Sequence, residues 1–241
     1  MWAEKSGSYC IMAFRYKDVV PWGRNYDEYV RMFDLDEGEL TLKILGCGDG
    51  PASFNYECNK RGGNVVSIDP IYNLTRNEIQ RRITETYDDV LSQTRKNKEK
   101  FKWDRIESVD ELGQIRMGAM RLFLDSYEQG KLDRKYIPGS LPNLPFADNE
   151  FDISLSSHFL FLYTDNLSYE FHVDAINEML RVSREARIFP LLDLNANKSS
   201  YVERIIVEFQ TKEIEVRKVN YEFQIGGNKL LIIRKGTFTT M

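Results

Sequence analysis

The sequence predicts an α/β fold of the doubly wound class: a mostly parallel sheet with a C-terminal antiparallel hairpin and a helical insertion after the second strand. Three observations carry that prediction. Short apolar runs alternate with helical patterns over 40–195, and strand–helix alternation marks a parallel sheet covered on both faces. The first apolar run, Leu42-Lys43-Ile44-Leu45, breaks into Gly46-Cys47-Gly48-Asp49-Gly50-Pro51, whose alternating glycines can turn a chain sharply out of a strand. Near the C-terminus Val219, Tyr221, Phe223 and Ile225 alternate with polar residues, Gly226-Gly227-Asn228 turns the chain, and 230–233 returns as a strand.

The elements follow in order. Residues 1–39 read as an N-terminal helical cap, its helix opened by Asn25 with Glu28 three positions later and carrying Tyr26, Tyr29, Val30 and Phe33. Residues 40–241 then form one domain. Its first strand is expected at 41–46, with a helix from 51 to about 60 and a second strand at 64–69. Pro51 suits the first helical position, where its missing N–H is an orphan anyway, and Gly62-Gly63 closes the helix. The interval from Asp69 to Leu141 is too long for a plain connection. An insertion at 74–135 holds two helices, each with a capping-box pattern: Thr75 with Glu78, and Ser108 with Glu111. Between them Arg95, Lys96, Lys98, Lys100, Lys102 and Arg105 surround Phe101 and Trp103; this reads as a solvated helix end with two aromatics tucked inward, rather than a basic substrate patch. A strand at 151–156, a helix from about 167 to 182, a strand at 186–192 and a helix marked by Tyr201, Ile205 and Phe209 precede the hairpin.

Composition narrows the function. The chain has 241 residues, 42% hydrophobic and 29% charged, with a formal charge of -4. These are globular values, and the sign argues against wholesale attraction to nucleic acid or anionic membrane. Glu4, Lys5, Arg15, Lys17 and Asp18 interrupt the first twenty residues, leaving no signal-peptide core, and no stretch of 18 apolar residues follows. A soluble cytoplasmic protein is expected. Cys10, Cys47 and Cys58 form no C-x-x-C pair, so no metal site is expected.

The glycine turn and Val65-Val66-Ser67-Ile68-Asp69 together read as a nucleoside site, since a carboxylate about 20 residues after such a turn can hold ribose hydroxyls. A dinucleotide fingerprint would need glycine at position 51, where Pro51 stands, so pyrophosphate binding is disfavoured. The G-x-G-x-G turn resembles motif I of the class I S-adenosylmethionine-dependent methyltransferases. Further pieces are similar to that family in order and spacing: Ser67-Ile68-Asp69-Pro70-Ile71-Tyr72, the stretch from Leu144-Pro145-Phe146 to Phe151-Asp152, and Glu178-Met179-Leu180-Arg181-Val182. The resemblance implies a seven-stranded Rossmann-like sheet and S-adenosyl-L-methionine as cofactor. It places Gly46, Cys47, Gly48 and Gly50 against the methionine portion and ribose, Asp69 on the ribose hydroxyls, and Pro70 and Ile71 beside the adenine. Ser140 or a backbone carbonyl near Leu141 would meet the adenine amino group, where the family often has an aspartate. The family's acid for the cofactor ammonium is replaced by Ile44.

Ser156, Ser157 and His158 follow the fourth strand, where the resemblance puts groups facing the transferable methyl. His158 is the candidate proton acceptor, against the alternative of a hydrogen-bonded core histidine among Phe159, Leu160, Phe161 and Leu162. His172, mid-helix, reads as structural. Trp22, Arg24 and Tyr26 either close over the cofactor, clamp a substrate carboxylate or phosphate, or pack the amino-terminal segment. The expected function is methyl transfer to an unidentified small-molecule or other acceptor. The alternatives are a catalytically inactive cofactor-binding protein acting through a partner, aminopropyl transfer, and a dinucleotide-dependent oxidoreductase.

Overall fold

Within Lys43–Cys47 (β1) successive side chains serve opposite faces of a sheet, and Ile44, Leu45 and Cys47 are all fully buried. Ile44 joins one apolar cluster, Leu45 and Cys47 another, as expected of a strand covered by helices on both sides. The computed structural model describes residues 20–236. Cys10, the acidic and basic residues of the first eighteen positions and the start of the 1–39 segment lie outside the described residues.

The remaining elements are α1 (Tyr26–Phe33), α2 (Phe54–Lys60), β2 (Asn64–Ile68), α3 (Arg76–Lys96), α4 (Val109–Leu132), β3 (Tyr136–Ile137), β4 (Phe151–Ser157), α5 (Tyr169–Val182), β5 (Ser183–Phe189), α6 (Val202–Glu208), β6 (Glu213–Lys218) and β7 (Lys229–Arg234). Among the described residues the strands form one seven-stranded sheet in the order β3-β2-β1-β4-β5-β7-β6. β3, β2, β1, β4 and β5 run parallel, and β7 is antiparallel to both β5 and β6. This is the arrangement the methyltransferase resemblance implies. α1 and α2 pack on one face through Tyr29, Met32, Phe33, Phe54 and Cys58. α5 and α6 pack on the other through Ala175, Ile176, Met179, Val202 and Ile205. No described helix is long and apolar enough to cross a membrane.

The capping signals at Asn25 and Thr75 form complete capping boxes. Ser108 accepts from Glu111 N, but the Glu111 carboxylate takes Glu107 N instead of closing the box. α3 and α4 stand as a pair at the β3 edge, joined to the sheet by a cluster of Tyr72, Ile79, Ile83, Phe123, Tyr127 and Tyr136. The two aromatics between them do turn inward, Phe101 stacking on Phe223 at 4.9 Å and Trp103 meeting it edge-on at 5.5 Å.

Several expectations need correction. The helix after the glycine turn starts at Phe54, not at Pro51. The intervening residues dock on the segment before α1: Ser53 N donates to Arg24 O at 3.0 Å, and a Cβ on Gly23 would lie 2.0 Å from Pro51 O, so glycine is required there for the approach. β5 begins at Ser183 and ends at Phe189 instead of running over 186–192, since Pro190 cannot donate to the ladder. The first strand of the hairpin is Glu213–Lys218, and 219–225 belongs to the connection. Val219 and Tyr221 are buried there by packing, while Lys102 N donates to Phe223 O and Ile225 N to Lys100 O, so part of this backbone is satisfied by the insertion.

Candidate cofactor and acceptor site

The parallel register aligns Cys47 with Ile68 and Ser157 with Phe189, so Gly48, Asp69, His158 and Pro190 all leave the sheet along one edge. Gly48 has φ +73° and donates its N–H to Ile68 O at 2.9 Å; the Phe159 ring lies against it, 3.2 Å from where a Cβ would stand. Behind the turn the Asp49 carboxylate folds back into the space a Cβ on Gly46 would fill. It accepts from the Tyr29 hydroxyl at 2.8 Å and the Ser67 hydroxyl at 2.6 Å. Nothing in the sequence singles out Asp49, because only the fold brings Tyr29 and Ser67 to it.

Burial pushes the Asp49 carboxyl up to about 6, the two hydroxyl bonds opposing and the charge of Asp69 reinforcing the shift. A raised carboxyl favours folding most when it is protonated, so its contribution is full below the unfolded value of 3.8 and is lost as pH rises through about 6. Asp49→Asn, which cannot ionise, is expected to flatten the stability profile across that window and to add on the order of 2 kcal/mol at neutral pH. Urea unfolding of both proteins at a series of pH values checks it; parallel profiles would refute it.

Asp69 caps the 3₁₀ turn Pro70–Asn73. One carboxylate oxygen accepts Ile71 N at 2.8 Å and the other accepts Gly50 N at 2.8 Å, so this side chain links the ends of β1 and β2. Burial raises its pKa and the two amide bonds oppose the rise. Two acceptor positions of the carboxylate remain for further donors. The Tyr72 hydroxyl donates to Gly50 O at 2.8 Å and fixes the turn from the other side. No heavy atom lies within 4 Å of a Cβ built on Gly50, which faces open space.

The other candidates divide. Pro70 is exposed and Ile71 half-buried beside Asp69. Ser140 is exposed, whereas the Leu141 side chain belongs to the core with Leu45 and Ile68. The Cys47 side chain is fully buried in the same cluster, burial pushing its thiol well above the usual range, so only its backbone faces the turn. The Ser156 hydroxyl is buried and has no hydrogen-bond partner. An orphaned hydroxyl at the end of β4, open space at Gly50 and spare acceptors on Asp69 fit an adenosyl group. Ile44 is buried in the core and offers nothing to an ammonium.

His158 adopts φ 52°, donates its backbone N–H to Phe189 O at 2.7 Å, and sets Nδ1 3.0 Å from the Ser157 hydroxyl. Burial, followed by the charges of Arg24 and Arg116, pulls the imidazole well below its ordinary range, so it is neutral at physiological pH. It lines an open cleft with Trp22, Arg24, Leu112, Arg116, Phe189 and Phe223, whose enclosed space of ≈ 120 Å³ is below the roughly 300–1,000 Å³ of drug-sized ligand sites and suits only a small molecule. His172 by contrast is buried in α5, its nitrogens facing Ser168 O and Leu160 O. Tyr26 stacks on Phe54 beneath the Arg61 guanidinium, which is a packing role.

Of the charged floor of the cleft the sequence singles out Arg24 alone; Arg116 and its pairing with Glu28 come from the fold. Arg116 is fully buried and pairs through Nη1 with Glu28, which also accepts the Tyr221 hydroxyl at 2.8 Å. Burial pushes the Glu28 carboxyl up, but the charge and hydrogen bond of Arg116, helped by Arg24 and Tyr221, hold it at about 2. Arg24 makes a long bond to Trp22 O at 3.4 Å. Arg24 Nε and Arg116 Nε and Nη2 are buried with no hydrogen-bond partner. Each unmet donor of this kind costs about 1–3 kcal/mol or more. A signal did exist: Arg116 interrupts the stripe of Leu112, Ala119 and Phe123 that α4 buries.

Among the described residues no cluster of three or more His, Cys, Asp or Glu is arranged to hold a metal ion. No family model matches the sequence. Among solved structures, a SAM-dependent methyltransferase from Aquifex aeolicus is 15% identical with a TM-score of 0.40, over 86% of this chain and 90% of the other. The magnesium protoporphyrin IX methyltransferase of Synechocystis PCC 6803, solved with bound SAM, is 10% identical with a TM-score of 0.43, over 83% of this chain and 73% of the other. The uncharacterized protein MJ0045 of Methanocaldococcus jannaschii is 42% identical over 220 residues, 91% of this chain and 97% of that protein. With that identity across nearly both lengths, the chain belongs to the family of MJ0045.

Proposed function

We propose that this chain is an S-adenosyl-L-methionine-dependent methyltransferase that moves a methyl group to an unidentified acceptor by in-line displacement. The observation that carries the reading is the Asp69 carboxylate bonded to Gly50 N at 2.8 Å: the end of β2 and the glycine turn of β1 are brought together as one nucleoside cradle. The bound cofactor supplies an electrophilic methyl and its own leaving group. The protein's tasks are then binding, orientation and proton management. The spare acceptors of Asp69 take the ribose hydroxyls, the backbone of Gly46, Cys47, Gly48 and Gly50 borders the methionine portion and ribose, and Pro70 and Ile71 flank the adenine. Ser140 and the backbone at Leu141 stand for the adenine amino group, and Ser156 offers its unpartnered hydroxyl. His158, neutral and lining the cleft, accepts a proton from the attacking group. Orientation of the acceptor contributes on the order of 7–11 kcal/mol to such a step.

Calorimetry is expected to give micromolar dissociation constants for S-adenosylmethionine and S-adenosylhomocysteine. No heat with either at millimolar concentration would overturn the proposal. The buried Ile44, which leaves the ammonium without its usual acid, favours a second reading of a cofactor-binding protein acting through a partner. Binding without turnover over a broad acceptor panel selects that reading.

A further inference from the structure

We propose that the cleft beside His158 takes a small anionic molecule with a flat apolar body, its carboxylate or phosphate held by the unpartnered N–H groups of Arg24 and Arg116. That this molecule is the methyl acceptor rests on the methyltransferase reading; the anion site itself does not.

The argument begins with charge. The buried Arg116 and the half-buried Arg24, whose Nε is covered, stand near one carboxylate, Glu28, which is spent on Arg116 Nη1, the Tyr221 hydroxyl and its own helix cap. Three donors, Arg24 Nε and Arg116 Nε and Nη2, remain unmet in a region lined by both residues. A buried cation left unpaired is unfavourable unless something anionic completes it, and a planar fork suits a planar or tetrahedral oxyanion. The other walls, Trp22, Leu112, Phe189 and Phe223, are apolar and largely aromatic, and suit a ring. Arg24 is also tied to the glycine turn, since its carbonyl accepts Ser53 N at 3.0 Å. A molecule anchored there lies between that turn and His158.

The test uses the whole protein and three probes: benzoate, phenyl phosphate and uncharged benzyl alcohol. The chain has two histidines, so the imidazole signals of His158 and His172 are readily assigned in NMR spectra. The anions are expected to shift and raise the titration of His158 by about one unit, leaving His172 in place, because an anion offsets the nearby guanidinium charges. Benzyl alcohol should bind at least about tenfold more weakly. Benzoate and phenyl phosphate together decide between carboxylate and phosphate. In Arg24→Met, which removes a half-buried cation without orphaning Glu28, anion affinity should fall about tenfold or more while S-adenosylhomocysteine affinity stays within about threefold. Equal binding of benzyl alcohol, an unmoved His158, or an Arg24→Met variant with unchanged anion affinity would each overturn the proposal. Anion binding without S-adenosylhomocysteine binding would keep the anion site and remove the methyl-transfer reading; the reverse pattern would do the opposite.

Discussion

Glu28→Ala is expected to lower the unfolding free energy by about 3–5 kcal/mol, because it leaves a buried cation without its counter-ion. In the wild type Glu28 is 3% exposed and its side chain does three things at once: it pairs with Arg116, accepts the Tyr221 hydroxyl, and closes the capping box with Asn25. Arg116 is fully buried and sits with Arg24 on the same cleft, so the variant would confine two positive charges with no compensating carboxylate. Glu28→Gln keeps one oxygen for Asn25 N and Arg116 while its amide NH2 donates to the Tyr221 hydroxyl oxygen, and should lose less. Adding Arg116→Met to Glu28→Gln should recover part of the loss, since removing both charges together is less costly than orphaning one. The pH dependence follows the same logic. Glu28 is depressed to about 2 in the fold, so its contribution is present above the unfolded value of 4.5 and disappears as pH falls through about 2. Variants at this position should therefore lose acid-side slope in denaturant unfolding, whereas a loss under about 1 kcal/mol for Glu28→Ala would mean the pair is not a structural centre.

The same residue shows where sequence reading succeeds and where it stops. Glu28 was legible as a helix-capping residue because its partner Asn25 is three positions away, and the caps at Thr75 and Ser108 were legible for the same reason. Its pairing with Arg116, 88 positions distant, depends on the fold. β1, β2 and β4 announce themselves because they are buried on both faces. β3 is two residues long, below any period, and β6 is an edge strand whose alternation rests on only two apolar residues, half-buried Ile214 and exposed Val216, while Glu215 pairs with Arg217 and with Arg234 of β7. The alternation of Val219, Tyr221 and Phe223 marks inward packing, whereas Ile225 is half exposed; a buried face and a hydrogen-bonded ladder leave the same trace in a single sequence. The two halves of the proposed nucleoside cradle, the glycine turn and Asp69, are each legible in the sequence. That Asp69 already serves as a cap and as a clasp on Gly50 was not, since both bonds run to backbone.

That double duty makes Asp69→Ala the sharper functional test. The variant removes the acceptor of Gly50 N and Ile71 N, so some stability is lost, on the order of 1–3 kcal/mol for two partly buried donors that regain water imperfectly. If the spare acceptor positions also hold the ribose, the dissociation constant for S-adenosylhomocysteine should rise about 100-fold, equivalent to nearly 3 kcal/mol. The two consequences separate in a cycle with a ligand lacking both ribose hydroxyls. In the wild type that ligand should bind far more weakly than S-adenosylhomocysteine; in Asp69→Ala, at a temperature where the variant is folded, the difference should nearly vanish. If the hydroxyls are worth as much in the variant as in the wild type, Asp69 acts as cap and clasp alone and the sugar is held elsewhere. If affinity falls with both ligands by the same factor, the carboxylate shapes the turn at Gly50 without touching the ribose. The coupling between the carboxylate and the hydroxyls, rather than the loss of affinity by itself, therefore decides whether the ends of β1 and β2 meet around a nucleoside.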